Sequence, residues 1–216
     1  MTFDPFGDYA ARGYLRNHHG LPRGDDLARL EFNNFRSVLP DLLSWLEDQP
    51  VNYDTLLRLH EKMFANIYPW AGEDRSTTAP DIAITRGGED QIFCHPVGCR
   101  LAADHALRLA EGDGMLRQPG AVYSALCHSH PFLDGNGRTL LLFHSELMRR
   151  QNAHIRWEEI AETEFLRVLT DDLNSPDAGI MDRLLMPKVE RSSRSRTDLE
   201  VMMVDEMQLH GRLETS

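Results

Sequence analysis

His130-Pro131-Phe132-Leu133-Asp134-Gly135-Asn136-Gly137-Arg138 gathers a base, a carboxylate, a glycine-flanked asparagine and an arginine into nine positions. Glycine reaches backbone conformations closed to other residues, so Gly135 and Gly137 let successive N–H groups turn inward and cradle an anion where a helix begins. Arg138 can then meet a phosphate oxygen and Asp134 can hold a divalent cation. Histidine is the side chain whose ordinary pKa suits taking a proton near neutrality, which makes His130 the candidate base. Directly after this stretch, Thr139 to Gln151 reads as a helix whose first turn is apolar on all sides through Leu140, Leu141, Leu142 and Phe143. A helix that begins apolar all round is central and buried, so the stretch reads as a phosphate-handling loop, 130–138, feeding the middle of a helical bundle.

Helical periodicity extends outward on both sides. Upstream, Ala121 to Ser129 and Val97 to Glu111 read as helices, separated by Gly112-Asp113-Gly114. Tyr53 to Ile67 carries Leu56, Leu59, His60, Met63 and Phe64 on one face and ends at Tyr68-Pro69-Trp70-Ala71-Gly72. Asp25 or Asp26 caps a further helix, with Leu27, Leu30, Phe35 and Leu39 at helical spacing. Pro40 is expected to break or restart it before Leu42, Leu43, Trp45 and Leu46. Downstream, helices are expected over Trp157 to Leu173 and around Met181 to Leu185, stopped by Pro187. The strand signal lies in 82–94, where Ile82 and Ile84 alternate with Ala83 and Thr85, Gly87-Gly88 supplies a turn and Ile92 and Phe93 follow, a pattern that predicts a β-hairpin. The fold class is therefore mainly α, a helical bundle with one small β-hairpin. Residues 1–187 read as one domain. Residues 188–216 read as a basic linker, through Arg191, Arg194 and Arg196, and an amphipathic tail of Val201, Met202, Val204 and Met207 that is free, docked or partner-seeking.

With 216 residues, 41% hydrophobic and 26% charged, the chain has the composition of one ordinary globular domain. A formal net charge of −11 argues against general affinity for nucleic acid, whose phosphates the averaged field repels. No apolar run approaches a membrane span. Met1 to Gly20 carries acids, arginines and histidines where a signal peptide has an apolar core, so a bacterial cytoplasm is the expected location, with secretion by a route lacking a cleaved signal left open. Cys94, Cys99 and Cys127 are odd in number and lack zinc-ligand pairing, which fits free thiols in a reducing compartment, and Cys127 reads as a buried inert thiol. A transition-metal cluster of His128, His130, Asp134 and His144 is a weaker reading, because no helical i, i+4 histidine pair or cysteine companion supports it.

The pattern resembles the signature of the Fic family, His-x-Phe-x-Asp/Glu-Gly-Asn-Gly-Arg-x-x-Arg, through seven fixed positions: His130, Phe132, Asp134, Gly135, Asn136, Gly137 and Arg138. Ile67-Tyr68-Pro69-Trp70-Ala71-Gly72 with Arg75 is similar to the family's segment ahead of its flap, and 82–94 falls where that flap belongs. The resemblance covers roughly residues 10–185. It implies a transferase that moves AMP from ATP onto a Ser, Thr or Tyr hydroxyl of a target protein. In that scheme His130 deprotonates the hydroxyl, Asp134 holds Mg²⁺, and Gly135, Asn136 and Gly137 cradle the phosphates. Arg138 clamps them, and Phe132 anchors the loop. Ile82, Ala83, Ile84, Thr85, Ile92 and Phe93 would dock the target segment by strand addition.

The resemblance stops at the second arginine, whose place is taken by Leu141. In the family that arginine meets the terminal phosphate of ATP. Its loss removes one or two charge-assisted hydrogen bonds, each worth about 1.5–3 kcal/mol. The family's inhibitory pattern, Ser/Thr-x-x-x-Glu, occurs here only as Thr85 with Glu89, which spans the Gly87-Gly88 turn and cannot be a helix. A missing inhibitory helix implies a separate antitoxin, yet the antitoxin's glutamate would lack its partner without an arginine at 141. Two other readings therefore stand: a Fic-type transferase using another phosphate-containing donor, such as a source of UMP, phosphate or phosphocholine, and a non-catalytic Fic-shaped binding module.

Overall fold

The protein's structure is a computed structural model that describes residue 6, residues 16–84, 92–192, 198 and 201–204. Helices carry the architecture: α1 Asp25–Glu47, α2 Tyr53–Phe64, the short α3 Arg75–Thr78, α4 Cys99–Leu109, α5 Gly114–Arg117, α6 Pro119–Ser129, α7 Asn136–Arg150, α8 Glu162–Asn174 and α9 Ile180–Leu185. Among the described residues no helix is long and apolar enough to cross a membrane.

Local chemistry sets the helix starts. The Asn52 side chain accepts from the Thr55 N–H at 2.8 Å to cap α2, Asp74 caps α3 through the Ser76 N–H, and Pro119 stands in the first turn of α6. Helix α6 packs on α4, α7, α8 and α9. Gly120 makes its approach to α9 close, since a Cβ there would lie 2.3 Å from the Asp182 backbone nitrogen. Helix α7 is the central one, and every residue from Arg138 to Met148 is buried. Leu141 is 1% exposed and belongs to this core, so the position where the resemblance expects a second arginine is an apolar packing position here.

Helix α1 runs through Pro40 without the expected break. Proline removes one backbone hydrogen bond and crowds the carbonyl four residues back, a cost of about 3 kcal/mol in a helix interior. Here Pro40 faces solvent, and Leu39, Leu42, Leu43 and Leu46 are buried on the same face before and after it. Continuous packing therefore holds the helix where propensity alone would end it.

A single two-stranded antiparallel pair occurs among the described residues, with His154 opposite Glu190 and Ile155 opposite Val189. It joins the segment after α7 to the segment after α9, and so lies apart from 82–94. In 82–94 the described ends, 82–84 and 92–94, are not in strands, and 85–91 lie outside the described residues. The backbone at 92–94 is instead used by the end of α6: the Ile92 carbonyl accepts from His128 Nδ1 at 2.9 Å, and the Cys94 N–H donates to the His128 carbonyl at 2.9 Å. Just beyond residue 187 the described chain stays on the bundle, with the Arg156 N–H donating to the Lys188 carbonyl. Residues 201–204 are helical, and Met202 and Met203 are buried in the common core.

Candidate functional site

Helix α6 ends at His130, whose backbone is left-handed at φ 35°, ψ 60°. A non-glycine residue pays for that conformation and holds it only when its surroundings over-determine it. Three contacts do so. The His130 carbonyl accepts from Arg75 Nε at 2.6 Å, and the next carbonyl, Pro131, accepts from the Arg75 backbone N–H at 2.7 Å. Arg75 is 0% exposed, and its Nη2 donates to the Cys94 carbonyl at 2.9 Å. Phe93 stacks on the His130 ring with centroids 3.9 Å apart and planes 23° from parallel.

Asn136 ties the loop shut. Its Oδ1 accepts from the Phe132 N–H at 2.9 Å and its Nδ2 donates to the Phe132 carbonyl at 2.8 Å. Those two bonds fix which way the amide points, so the group 3.1 Å from His130 Nε2 is an N–H donor. Nε2 therefore presents a lone pair, and the imidazole proton sits on Nδ1. The Asn136 side chain is thus a staple and a tautomer selector, while the expected anion cradle concerns its backbone N–H. Of the two flanking glycines, Gly135 needs its freedom: it is left-handed at φ 75°, and a Cβ there would lie 2.6 Å from Phe64. Gly137 is helical and exposed at the mouth of α7.

Beneath the loop lies His60, also 0% exposed. Its Nδ1 accepts from the Gly72 N–H at 2.9 Å, which puts the proton on Nε2, and Nε2 donates to the Asp134 carbonyl at 3.1 Å. Phe132, itself 0% exposed, stacks on the His60 ring at 3.7 Å and 9°. Phe132 is thereby the core anchor of the loop, with an aromatic histidine rather than an aliphatic pocket below it.

At the far end Arg138 is 4% exposed and makes a forked pair with Glu31 of α1, Nη1 to Oε2 and Nη2 to Oε1, each at 3.2 Å. It also lies 3.7 Å from Asp134 Oδ1 and over the Phe64 ring. Tyr68 donates its hydroxyl to Glu31 Oε1 at 2.5 Å. Burial, and then the Glu31 carboxylate, push the Tyr68 hydroxyl far above its ordinary range, so it remains a donor. Asp134 Oδ1 accepts from the Gly135 N–H at 2.6 Å. No cluster of three or more potential metal-ligating side chains occurs among the described residues. One carboxylate at the start of a helix nevertheless suits Mg²⁺, which is commonly held by one or two carboxylates together with a substrate's phosphates. The first N–H groups of α7 have no acceptor inside the helix and add positive potential at that point.

The structure therefore brings His130, Phe132, Asp134, Gly135, Asn136 and Arg138 into one loop around the N-terminus of α7, with Gly137 at its mouth. Of the expected docking residues, Ile92 and Phe93 are buried and Phe93 lies on His130, Ile82 is half-buried against the core, and Ala83 is exposed. Ile84 is half-buried, and Thr85 lies outside the described residues. His144 is in the core, its Nε2 donating to the Pro119 carbonyl at 2.9 Å, and burial pushes its pKa down to about 4. Glu31, His60 and Arg75 are the supporting residues to which sequence reasoning gave no role at the site. A signal existed for the first two: each is a polar residue standing on the apolar face of an amphipathic helix, Glu31 between Leu27 and Phe35, and His60 beside Leu59 and Met63.

Comparison with known proteins bears on the fold and the family. The chain is 28% identical over 116 residues to the protein adenylyltransferase VbhT of Bartonella schoenbuchensis, an alignment that takes in 53% of this chain and 24% of VbhT. It is 26% identical over 168 residues to the probable protein adenylyltransferase y4lH of Sinorhizobium fredii, covering 73% of this chain and 82% of y4lH. The chain thus spans about a quarter of VbhT and most of y4lH. Among solved structures, BepC, a VirB-translocated Bartonella effector protein from Bartonella tribocorum with bound AMPPNP, superposes with a TM-score of 0.66 at 16% identity, over 81% of this chain and 91% of that one. The N-terminal Fic domain of a putative cell filamentation protein from Bartonella quintana, with bound ADP, gives 0.67 at 19% identity over 84% and 92%. Residues 50–148, which run from α2 almost to the end of the central helix α7, match the Fic/DOC family and belong to it.

Proposed function

We propose that this chain is a protein adenylyltransferase, moving AMP from ATP onto a Ser, Thr or Tyr hydroxyl of another protein. The observation that carries the reading is the strained, left-handed His130, with Nε2 presenting a lone pair at the mouth of a helix N-terminus that also bears Asp134 and Arg138. His130 Nε2 takes the proton of the attacking hydroxyl, which replaces Asn136 as its hydrogen-bond partner. The hydroxyl oxygen attacks the α-phosphorus, and pyrophosphate leaves. Arg138, oriented by Glu31, and the first turn of α7 meet the phosphate charge. Asp134 would hold Mg²⁺ together with the phosphates, and the ion would neutralise charge on the leaving group. Residues 1–187 form the catalytic unit in this reading. The relatives described as translocated effectors favour a similar deployment for this chain.

A second reading is favoured by one observation: Leu141 is buried in the core, so no arginine clamps a terminal phosphate from that position. A donor that needs no γ-phosphate clamp, delivering UMP, phosphate or phosphocholine, meets the same loop. Purified protein incubated with Mg²⁺ and a panel of labelled donors, beside a His130→Ala variant, decides between them. Label transferred from ATP to protein and lost in the variant supports adenylylation. Label from another donor supports the second reading. Absence of nucleotide binding by calorimetry leaves only a non-catalytic module.

A further inference from the structure

Behind His130 lies a pair of thiols that the transfer chemistry does not use. Cys94 is partly exposed and Cys99, the first residue of α4, is fully buried, and their sulfurs are 3.9 Å apart. The two are joined by the short turn Pro96–Gly98. Cys94 Sγ donates to the Ser129 carbonyl at 3.1 Å, and the Cys94 carbonyl accepts from Arg75 Nη2. Arg75 is a fully buried cation that makes no ion pair with a carboxylate among the described residues, and its Nη1 has no hydrogen-bond partner. A buried guanidinium of this kind stabilises negative charge on a neighbouring sulfur. Its other arm is the Nε–H that holds the His130 carbonyl. One guanidinium therefore touches both the thiol segment and the left-handed base.

We propose that Cys94 and Cys99 are a reversible redox modification site, closed to a disulfide by hydroperoxides, and that closure disturbs the His130 end of the loop through Arg75. The Cys94 thiolate attacks the peroxide, the O–O bond breaks, and the sulfur becomes a sulfenic acid. Cys99 then attacks that sulfur and water leaves, so two thiols and one hydrogen peroxide give one disulfide and two waters. Drawing the sulfurs from 3.9 Å to bonding distance takes Cys94 Sγ off the Ser129 carbonyl and shifts the Cys94 carbonyl that receives Arg75. The hydrogen bond between the two sulfurs, and then burial, push the Cys99 thiol up, while the same bond, with the Arg75 charge beyond it, draws Cys94 down. The pair thus has the division of labour of an attacking and a resolving thiol.

The bridge itself is independent of the proposed transferase activity, while its effect on transfer rests on that reading. The test treats the full-length protein with hydrogen peroxide and then with dithiothreitol, followed by peptide mass spectrometry. The expected result is a Cys94–Cys99 bridge, lost on reduction and still formed in Cys127→Ala. In Cys99→Ser and Cys99→Ala, a sulfenic acid at Cys94 trapped by dimedone replaces it. Nucleotide transfer by the wild type should fall by at least about tenfold on oxidation and return on reduction, as small displacements of catalytic groups produce. Both Cys99 variants should resist peroxide. Absence of the bridge, or a bridge to Cys127, overturns the site. The link to His130 is read separately by NMR of its imidazole, assigned by loss of the signal in His130→Ala. A signal that moves on oxidation and returns on reduction supports the link even if no donor is transferred, and one that does not move overturns it.

Discussion

The two ends of the 130–138 loop are held by opposite means. At the His130 end, near the surface, neutral backbone carbonyls receive a buried arginine, an aromatic ring covers the imidazole and an asparagine selects its tautomer. At the Arg138 end, inside the bundle, the cation meets the carboxylate of Glu31, which also receives Tyr68. The first arrangement constrains a geometry and the second neutralises a charge. Substitutions at the His130 end should therefore appear in the rate, and those at the Arg138 end in folding stability.

The largest expected effect tests the first half of that division. His130→Ala removes the base and should lower transfer by about 10³- to 10⁴-fold, the upper range for general base catalysis. Urea unfolding should change by under about 1 kcal/mol, since Phe132 and Asn136 keep their mutual bonds. A large loss of stability would show that the imidazole is structural.

At the opposite end, Glu31→Ala leaves Arg138 buried without its carboxylate and removes the acceptor of Tyr68. Breaking a buried pair from one side costs about 3–5 kcal/mol, measurable as a lower urea midpoint. Glu31→Gln keeps the acceptor oxygen and should cost less than half as much. Equal losses in both variants would mean that volume, and not charge, is what position 31 supplies.

These two ends also mark how far the sequence could be read. Motif spacing displayed the groups that the proposed transfer uses, and helical periodicity gave α2, α4, α6 and α7 to within a few residues, while it split α1 at Pro40 and began α8 at Trp157, ahead of its start at Glu162. Their supports were harder to see, because Glu31, His60 and Arg75 reach the loop across 107, 74 and 55 positions of sequence. Pro40 failed as a helix breaker because leucines packed on both sides outweigh a lost hydrogen bond. In 82–84 the alternation that suggests a strand reports burial, with Ile82 and Ile84 half-buried, Ala83 exposed and none of the three in a strand. Period-two alternation reports which side chains are buried, not which carbonyl receives which N–H.

A third prediction separates the loop from the helix that carries it. His144 sits neutral in the core with its pKa pushed down to about 4, against about 6.5 in an unfolded chain. The native state resists protonation, so this stability is fully present above pH 6.5 and declines as pH falls toward 4. Over that interval the loss should reach about 3 kcal/mol. His144→Leu should flatten the slope of stability against pH there, and an unchanged slope would assign the acid sensitivity to other groups.

The smallest effect is the most discriminating, because Phe93 belongs to both halves: it is buried, yet it lies on the base. Phe93→Leu retains apolar bulk and removes the stacked ring, an interaction worth about 1 kcal/mol beyond area. If Phe93 serves the geometry of the His130 end, kcat should fall roughly fivefold with KM unchanged, and stability should move by no more than a core leucine for phenylalanine exchange ordinarily costs. If instead stability falls while kcat holds, the ring is ordinary packing. The strain at His130 would then be carried by Arg75 and Asn136 alone, and the His130 end would be held by hydrogen bonds without an aromatic cover.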